Sequence, residues 1–174
     1  EKGRMFEERN SALYYKFVGS DVDHLSESKD EQETISLGLK WIGYKNQFFS
    51  SALIPDGKFN GALIRSGMNN DPAYLKNFHT ETTVDYNPAD NNGPGFRFYL
   101  GPNVYPLLHS YDKGVDDDKA LDLDKLVPLG FKFFRWINTW IIIPIFTFLG
   151  KYIANYGIII LLMLSLIHIS EPTR

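Results

Sequence analysis

The sequence predicts a mainly β fold, part of a β-sandwich, followed by an amphipathic helix and an apolar helical rear. Three observations carry that prediction. Aromatic residues make up 15% of the chain, and in the front they gather with β-branched neighbours in short runs, as a pleated, half-buried surface requires. Turn chemistry such as Pro55-Asp56-Gly57 separates those runs. From Phe131 to Ser170 there is no acidic residue, so the rear is built for a different solvent from the front.

The net charge of −3 hides this asymmetry. Of 18 Lys+Arg and 21 Asp+Glu, all lie at or before Lys125 except Lys132, Arg135, Lys151, Glu171 and Arg174. An acidic front argues against nucleic-acid binding, because neutralising phosphate needs a basic face. The absence of cysteine excludes a disulfide scaffold, a thiolate metal site and a cysteine nucleophile. The chain opens at Glu1 without Met or a signal-like segment, and its N-terminal context is expected to be missing.

Taken in order, Leu13 to Val18 reads as the first strand, and the polar, aperiodic stretch from Asp21 to Glu33 as an exposed loop. Leu39–Tyr44 and Phe48–Ile54 follow, the second closed by the Pro-Asp-Gly turn. Trp41, Phe48, Phe49 and Leu53 are expected in the sandwich core. Further strands are expected at Gly61–Arg65, Phe78–Tyr86 and Phe96–Leu100. In the second of these His79, Glu81 and Thr83 form a wet face, and Thr80, Thr82 and Val84 a drier one. Asn87 to Gly95, rich in Pro, Gly and Asn, joins the last two. Strands at this spacing suggest a sandwich rather than a βαβ sheet.

Gly101-Pro102 ends the last strand, and Val104–Tyr111 reads as a short helix with Pro106 in its first turn. A solvated connector is expected from Asp116 to Leu126. On a helical projection of Phe131–Ile143, Lys132, Arg135 and Thr139 share one face, while Phe133, Phe134, Trp136, Ile137, Trp140 and Ile141 cover the rest. Such a helix lies in a membrane interface, with its rings in the acyl boundary. The competing reading is the core face of a soluble helix; the lack of acidic residues over the next thirty positions favours the interface. Pro144 predicts a kink or break at Ile143. After Lys151, the run from Tyr156-Gly157 into Ile158–Met163 reads as the start of a transmembrane helix, with Tyr156 at headgroup level. The expected organisation is therefore 1–126 sandwich, 127–152 interfacial segment and 153–163 the beginning of a membrane helix.

Four segments, in order, resemble one family. Trp41-Ile42-Gly43-Tyr44 through Phe48-Phe49 to Ile54-Pro55 resembles the Trp…Tyr-Phe…Ile-Pro stretch of the periplasmic domain of YidC/Oxa-type membrane protein insertases. Phe98-Tyr99-Leu100-Gly101-Pro102 resembles that domain's Tyr-Val-Gly-Pro segment. Leu121-Asp122-Leu123, ahead of Gly130, is similar to its Leu-Asp-Leu. Asn155-Tyr156-Gly157 with the following Ile run resembles the Asn-Trp-Gly-Phe-Ser-Ile opening of the second membrane helix. The wording is closest to the Bacteroidota branch. The resemblance covers Leu13 to Met163. It implies the C-terminal part of a galactose-mutarotase-like β-sandwich in the periplasm, attached to the inner membrane. It implies, too, a protein that catalyses no covalent chemistry and assists insertion of nascent membrane proteins, alone or with the Sec translocon, at the lipid bilayer, without a cofactor. The family's cationic groove residue would lie beyond Met163 and takes no position here. The site residues expected at the membrane interface are Lys132, Phe133, Arg135, Trp136, Trp140, Lys151 and Tyr156.

Other chemistries are poorly supported by the residues. His24, His79, His109 and His168 match no metal-ligand spacing. Asp21-Val22-Asp23 lacks the calcium loop's Gly and terminal Glu, and no Gly-x-Ser-x-Gly elbow occurs. A membrane-anchored binding module, with carbohydrate as a candidate ligand, and a sugar-modifying enzyme using His79 and Glu81 are the alternatives. Finally, Leu164 to Arg174 resembles the translation of a sequencing-library adapter: His168, Glu171 and Pro172 interrupt a helix that should continue for about 20 apolar residues. That stretch is expected not to belong to the protein.

Overall fold

The computed structural model describes residues 2–71, 73–89, 93–128, 138–153 and 155–169. The chain divides into two compact units, Glu1–Val127 and Pro128–Arg174.

The first unit opens with helix α1 (Lys2–Arg9) and continues through eight strands: β1 (Ala12–Phe17), β2 (Val22–His24), β3 (Glu31–Ile35), β4 (Leu39–Lys45), β5 (Phe49–Pro55), β6 (Phe59–Met68), β7 (Lys76–Val84) and β8 (Phe96–Pro102). All pairings are antiparallel. Five strands form one layer in the order β2-β1-β4-β5-β8, and β6 carries β3 and β7 on its two sides; the layers join where Leu39 of β4 meets Phe59 of β6. This is the expected sandwich.

Its inner core is shared by both layers. Leu13, Tyr15, Leu39 and Ile42 of the five-stranded layer pack with Ile35, Phe59, Ala62 and Ile64 of the other. A hydrogen bond from Tyr44 Oη to Thr80 Oγ1 (2.8 Å) crosses the same space. A second core covers the opposite face of the five-stranded layer, where Tyr14, Trp41, Ala52, Ile54 and Tyr99 meet Leu108, Leu123 and Leu126. The last three come from helix α2 (Tyr105–Ser110), with Pro106 in its first turn as expected, and a 3₁₀ turn at Leu123–Leu126.

One irregularity decides which side chains go where. Lys16 and Phe17 of β1 pair with Trp41 and Leu39 of β4, so Lys40 is an extra residue, a β-bulge. The bulge sends Leu39 to the inner core and Trp41 to the outer one, although period-2 alternation would place them together. At Gly61 φ is +149°, and a Cβ there would lie 2.5 Å from the carbonyl oxygen of Ile35, so only glycine lets β6 approach β3 this closely.

Three expectations are corrected. The stretch Asp21–Glu33 contains β2 and the start of β3: both are short, polar and paired on one side only, so they carry no hydrophobic alternation. The connector before Leu126 is only partly solvated, because Leu123 and Leu126 are fully buried. Phe48 and Phe49 are exposed, Phe49 to 58%, whereas Trp41 is buried and Leu53 half-buried. Phe49 points to the inner side of β5, where the three-stranded layer does not fully cover it. The alternation expected in β7 holds: His79, Glu81 and Thr83 are exposed while Thr80, Thr82 and Val84 are half-buried.

In the second unit a π-helical turn at Asn138–Ile142 passes into helix α3 (Ile143–Gly150), with Pro144 in its first turn. The change of helical pitch falls where Pro144 withholds a backbone donor. Helix α4 spans Tyr156–Ile169. Among the described residues no helix is long and apolar enough to cross a membrane. Helix α4 runs into the stretch expected to be foreign, whose residues 170–174 lie outside the described residues.

Candidate functional site

Of the residues expected at the membrane interface, Lys132, Phe133, Arg135 and Trp136 lie outside the described residues. Trp140 sits in the π-helical turn, 71% exposed. Lys151 follows α3 and is exposed, and Tyr156 is the first residue of α4. Around them the surface is apolar. Ile141, Phe148 and Tyr152 are exposed, the last two as a ring pair with centroids 5.4 Å apart. On α4 Ile158, Ile160, Leu161 and Leu164 are exposed too. Lys151 is the sole charged residue between Asn138 and Ile169. Large side chains that water would penalise thus face outward on every described helix of this unit, the arrangement of a surface solvated by lipid or covered by protein.

The sandwich carries polar constellations of its own. The Lys16 ammonium, only 5% exposed, is bonded to the Asp122 carboxylate and to the carbonyl of Ser20 at 2.9 Å. Lys125 bonds Asp21 and lies 3.5 Å from Asp122. Burial raises the Asp122 carboxyl, but the hydrogen bond and charge of Lys16, with those of Lys125, outweigh it and hold the group below its ordinary range. Burial likewise lowers Lys125, and its bonds to Asp21 and Asp122 reverse the sign. Asp122 itself adopts the left-handed conformation, φ 52°.

Asp112, Asp122 and Asp124 place carboxylate oxygens within 4.8 Å of one another, close enough for a cation. Each of the three already has a protein partner. Asp112 accepts the backbone N–H groups of Leu121 and Asp122, both at 2.6 Å; Asp122 takes Lys16; Asp124 lies 3.3 Å from His109 Nδ1. Asp122 fastens the connector to β1, while Asp112 and Asp124 hold it to its own backbone and to α2. Sequence reasoning missed the tie to the sheet, since Lys16 and Asp122 are 106 residues apart.

His79 Nε2 and Glu81 Oε1 are 2.8 Å apart on an exposed strand face, and the hydrogen bond to His79 lowers the Glu81 carboxyl. His24 stacks on Tyr14 and His109 on Tyr105, so the three described histidine rings are dispersed over separate elements. A cleft of about 830 Å³ opens beside β5, lined among others by Tyr44, Phe49, Tyr74, Phe78 and Leu100. Its walls are aromatic and aliphatic, the chemistry of a packing or binding surface.

The fold and these surfaces define an antiparallel β-sandwich domain joined to an apolar helical unit. The chain belongs to the YidC family: the family model for the YidC periplasmic domain matches residues 5–147. It is 48% identical over 169 residues to the membrane protein insertase YidC of Parabacteroides distasonis, covering 97% of this chain and 27% of that protein. It is 46% identical to the insertase of Azobacteroides pseudotrichonymphae (98% and 28%) and 41% to that of Porphyromonas gingivalis (94% and 26%). The chain therefore spans about a quarter of the length of the curated relatives it matches.

Proposed function

We propose that this chain is the periplasmic platform and membrane lead-in of an inner-membrane protein insertase, which helps nascent membrane proteins enter and fold in the bilayer, alone or with the Sec translocon. The observation that carries the reading is a sandwich of the YidC periplasmic family continuous with a helical unit whose exposed surface is apolar. The relatives' names favour it over a membrane-anchored binding module.

The physics is solvent substitution rather than bond making. Polar backbone and side chains are costly in hydrocarbon, and an insertase lowers that cost by offering them a hydrated route. In this reading the sandwich, residues 1–126, stands in the periplasm. Residues 127–152 lie at the outer leaflet, with Phe133, Trp136 and Trp140 toward acyl chains and Lys132, Arg135 and Lys151 toward headgroups. Tyr156 marks the headgroup level where residues 153–163 begin a membrane helix. No covalent step is assigned to the domain.

The test is complementation. The full-length gene is supplied to a Bacteroidota strain depleted of its own insertase, and insertion of a single-span client is followed by protease accessibility. Restored insertion is expected. A protein that reaches the membrane without restoring insertion overturns the proposal.

A further inference from the structure

Residues 115–127 pack on the outer face of the five-stranded layer, yet among the described residues no backbone-to-backbone hydrogen bond joins them to a strand. Their backbone bonds are local. Lys119 and Ala120 donate to the Asp116 carbonyl at 2.8 and 3.0 Å, Lys125 to that of Asp122 at 3.1 Å and Val127 to that of Asp124 at 3.0 Å. β1 and β4 differ in kind, since each is hydrogen-bonded to a strand on either side.

What holds this stretch is a set of side chains. Lys16 of β1 donates to Asp122, and Lys125 donates to Asp21 in the turn after β1. From β4, Lys40 donates to the carbonyls of Asp118 and Ala120 at 2.6 and 2.9 Å, and the Trp41 indole to that of Leu121 at 2.6 Å. Asp112 accepts the N–H groups of Leu121 and Asp122, and Asp124 lies 3.3 Å from His109 Nδ1. The apolar hold is small: Ala120, Leu123 and Leu126 are buried, while Lys113 to Lys119 are exposed without a break. Local backbone bonds, side-chain ties and few buried apolar residues mark the low end of a domain's local stability.

We propose that residues 115–127 are a strap that lifts from the sheet as one unit, pivoting at Gly114, while the sandwich stays folded. Both ends of the stretch suit that motion. Gly114 has φ +79°, and a Cβ there would meet nothing within 4 Å, so the chain turns in open space. Val127 closes the first compact unit and Pro128 opens the second, so a displacement of the second unit pulls on the strap before it pulls on any strand. Lifting breaks the Lys16–Asp122 and Lys125–Asp21 pairs and uncovers the apolar sheet face around Tyr14 and Trp41. It also adds up to about 45 Å of extended chain to the link between the two units. The strap thus separates movement of the helical unit from unfolding of the sandwich. The inference stands independently of the insertase reading.

Amide hydrogen exchange of the full-length protein in nanodiscs tests it, with two variants beside the parent. Short local turns do not persist away from a supporting surface, so the amides of Lys125 and Val127 report whether the strap is docked. In the parent their protection is expected to be at least about tenfold weaker than that of the slowest amides of β4 and β6. Ile64→Val, a mild change in the inner core, is expected to speed those sheet amides by about threefold to tenfold. The same variant is expected to leave Lys125 and Val127 unchanged, because the sheet stays folded when the strap lifts. Asp122→Asn removes a tie and is expected to speed Lys125 and Val127 by at least about fivefold. Strap amides that are as protected as the sheet, or that quicken with it in Ile64→Val, open only with the whole domain and overturn the proposal. Strap exchange unaltered by Asp122→Asn overturns it too, since the side-chain ties would then hold nothing.

Discussion

The indole N–H of Trp41 donates to the carbonyl oxygen of Leu121 at 2.6 Å, fastening β4 to a connector eighty residues further along the chain. Lys40, the bulged residue beside it, reaches the carbonyls of Asp118 and Ala120 at 2.6 and 2.9 Å. The bulge that turns Trp41 outward thus also sets the donors that hold the connector.

Replacing Trp41 with Phe keeps an aromatic ring and removes the donor. The orphaned Leu121 carbonyl is half-buried, so the domain is expected to lose about 1–3 kcal/mol, read from urea unfolding. Trp41→Ala is expected to cost about 3–5 kcal/mol through the cavity as well. A Trp41→Phe variant as stable as the parent would show that the hydrogen bond contributes nothing.

Phe49→Ala is expected to cost less than about 1 kcal/mol, the usual range for an exposed position. Ile64→Ala, in the inner core, is expected to cost about 2–5 kcal/mol. Parallel denaturation curves of the two variants check the contrast, and a large loss at Phe49 would place it under a covering layer.

Acid should loosen the connector first. Asp122 and Asp21 both have lowered pKa values in the folded chain: burial of Asp122 is outweighed by Lys16, and Asp21 is held by its hydrogen bond to Lys125. A depressed carboxylate binds its proton more readily when unfolded. Its stabilisation is therefore complete above the ordinary aspartate pKa of about 3.9 and disappears as pH falls through the lower folded value. Asp122→Asn is expected to reduce stability near neutrality and to flatten the loss below about pH 4. A variant with the wild-type acid limb would contradict the assignment.

A peptide of residues 131–143 is expected to become helical on anionic lipid vesicles, with a blue shift of Trp136 and Trp140 emission. Replacing Lys132 and Arg135 with Gln should weaken binding to anionic vesicles more than to neutral ones. Unchanged emission at high lipid would remove these residues from the interface.

Much of the sandwich was legible in the sequence because its signals are local. The Pro55-Asp56-Gly57 turn, the aromatic run of β1 and the alternation of β7 each state their conformation within a few residues. β2 and β3 were not legible: their stability comes from Tyr14–Lys16 and from β6 across the sheet, and polar side chains paired on one edge leave no periodic mark. The proposed interface residues were legible as a run of rings without acids, since that pattern is a property of composition.

The sequence alone determined that the front is β, that the rear is apolar, and which family the order of motifs resembles. The tertiary structure decided which apolar residues are core. Leu39 and Trp41 part company at a bulge that no periodicity announces, and Phe49 is exposed while Ile54, on the same strand, is buried. Burial depends on what lies across from a side chain, and for β5 the two faces are covered by different elements. Helix α2 and the 3₁₀ turn extend over one, while the three-stranded layer reaches only part of the other, and that difference is set by contacts far apart in the chain.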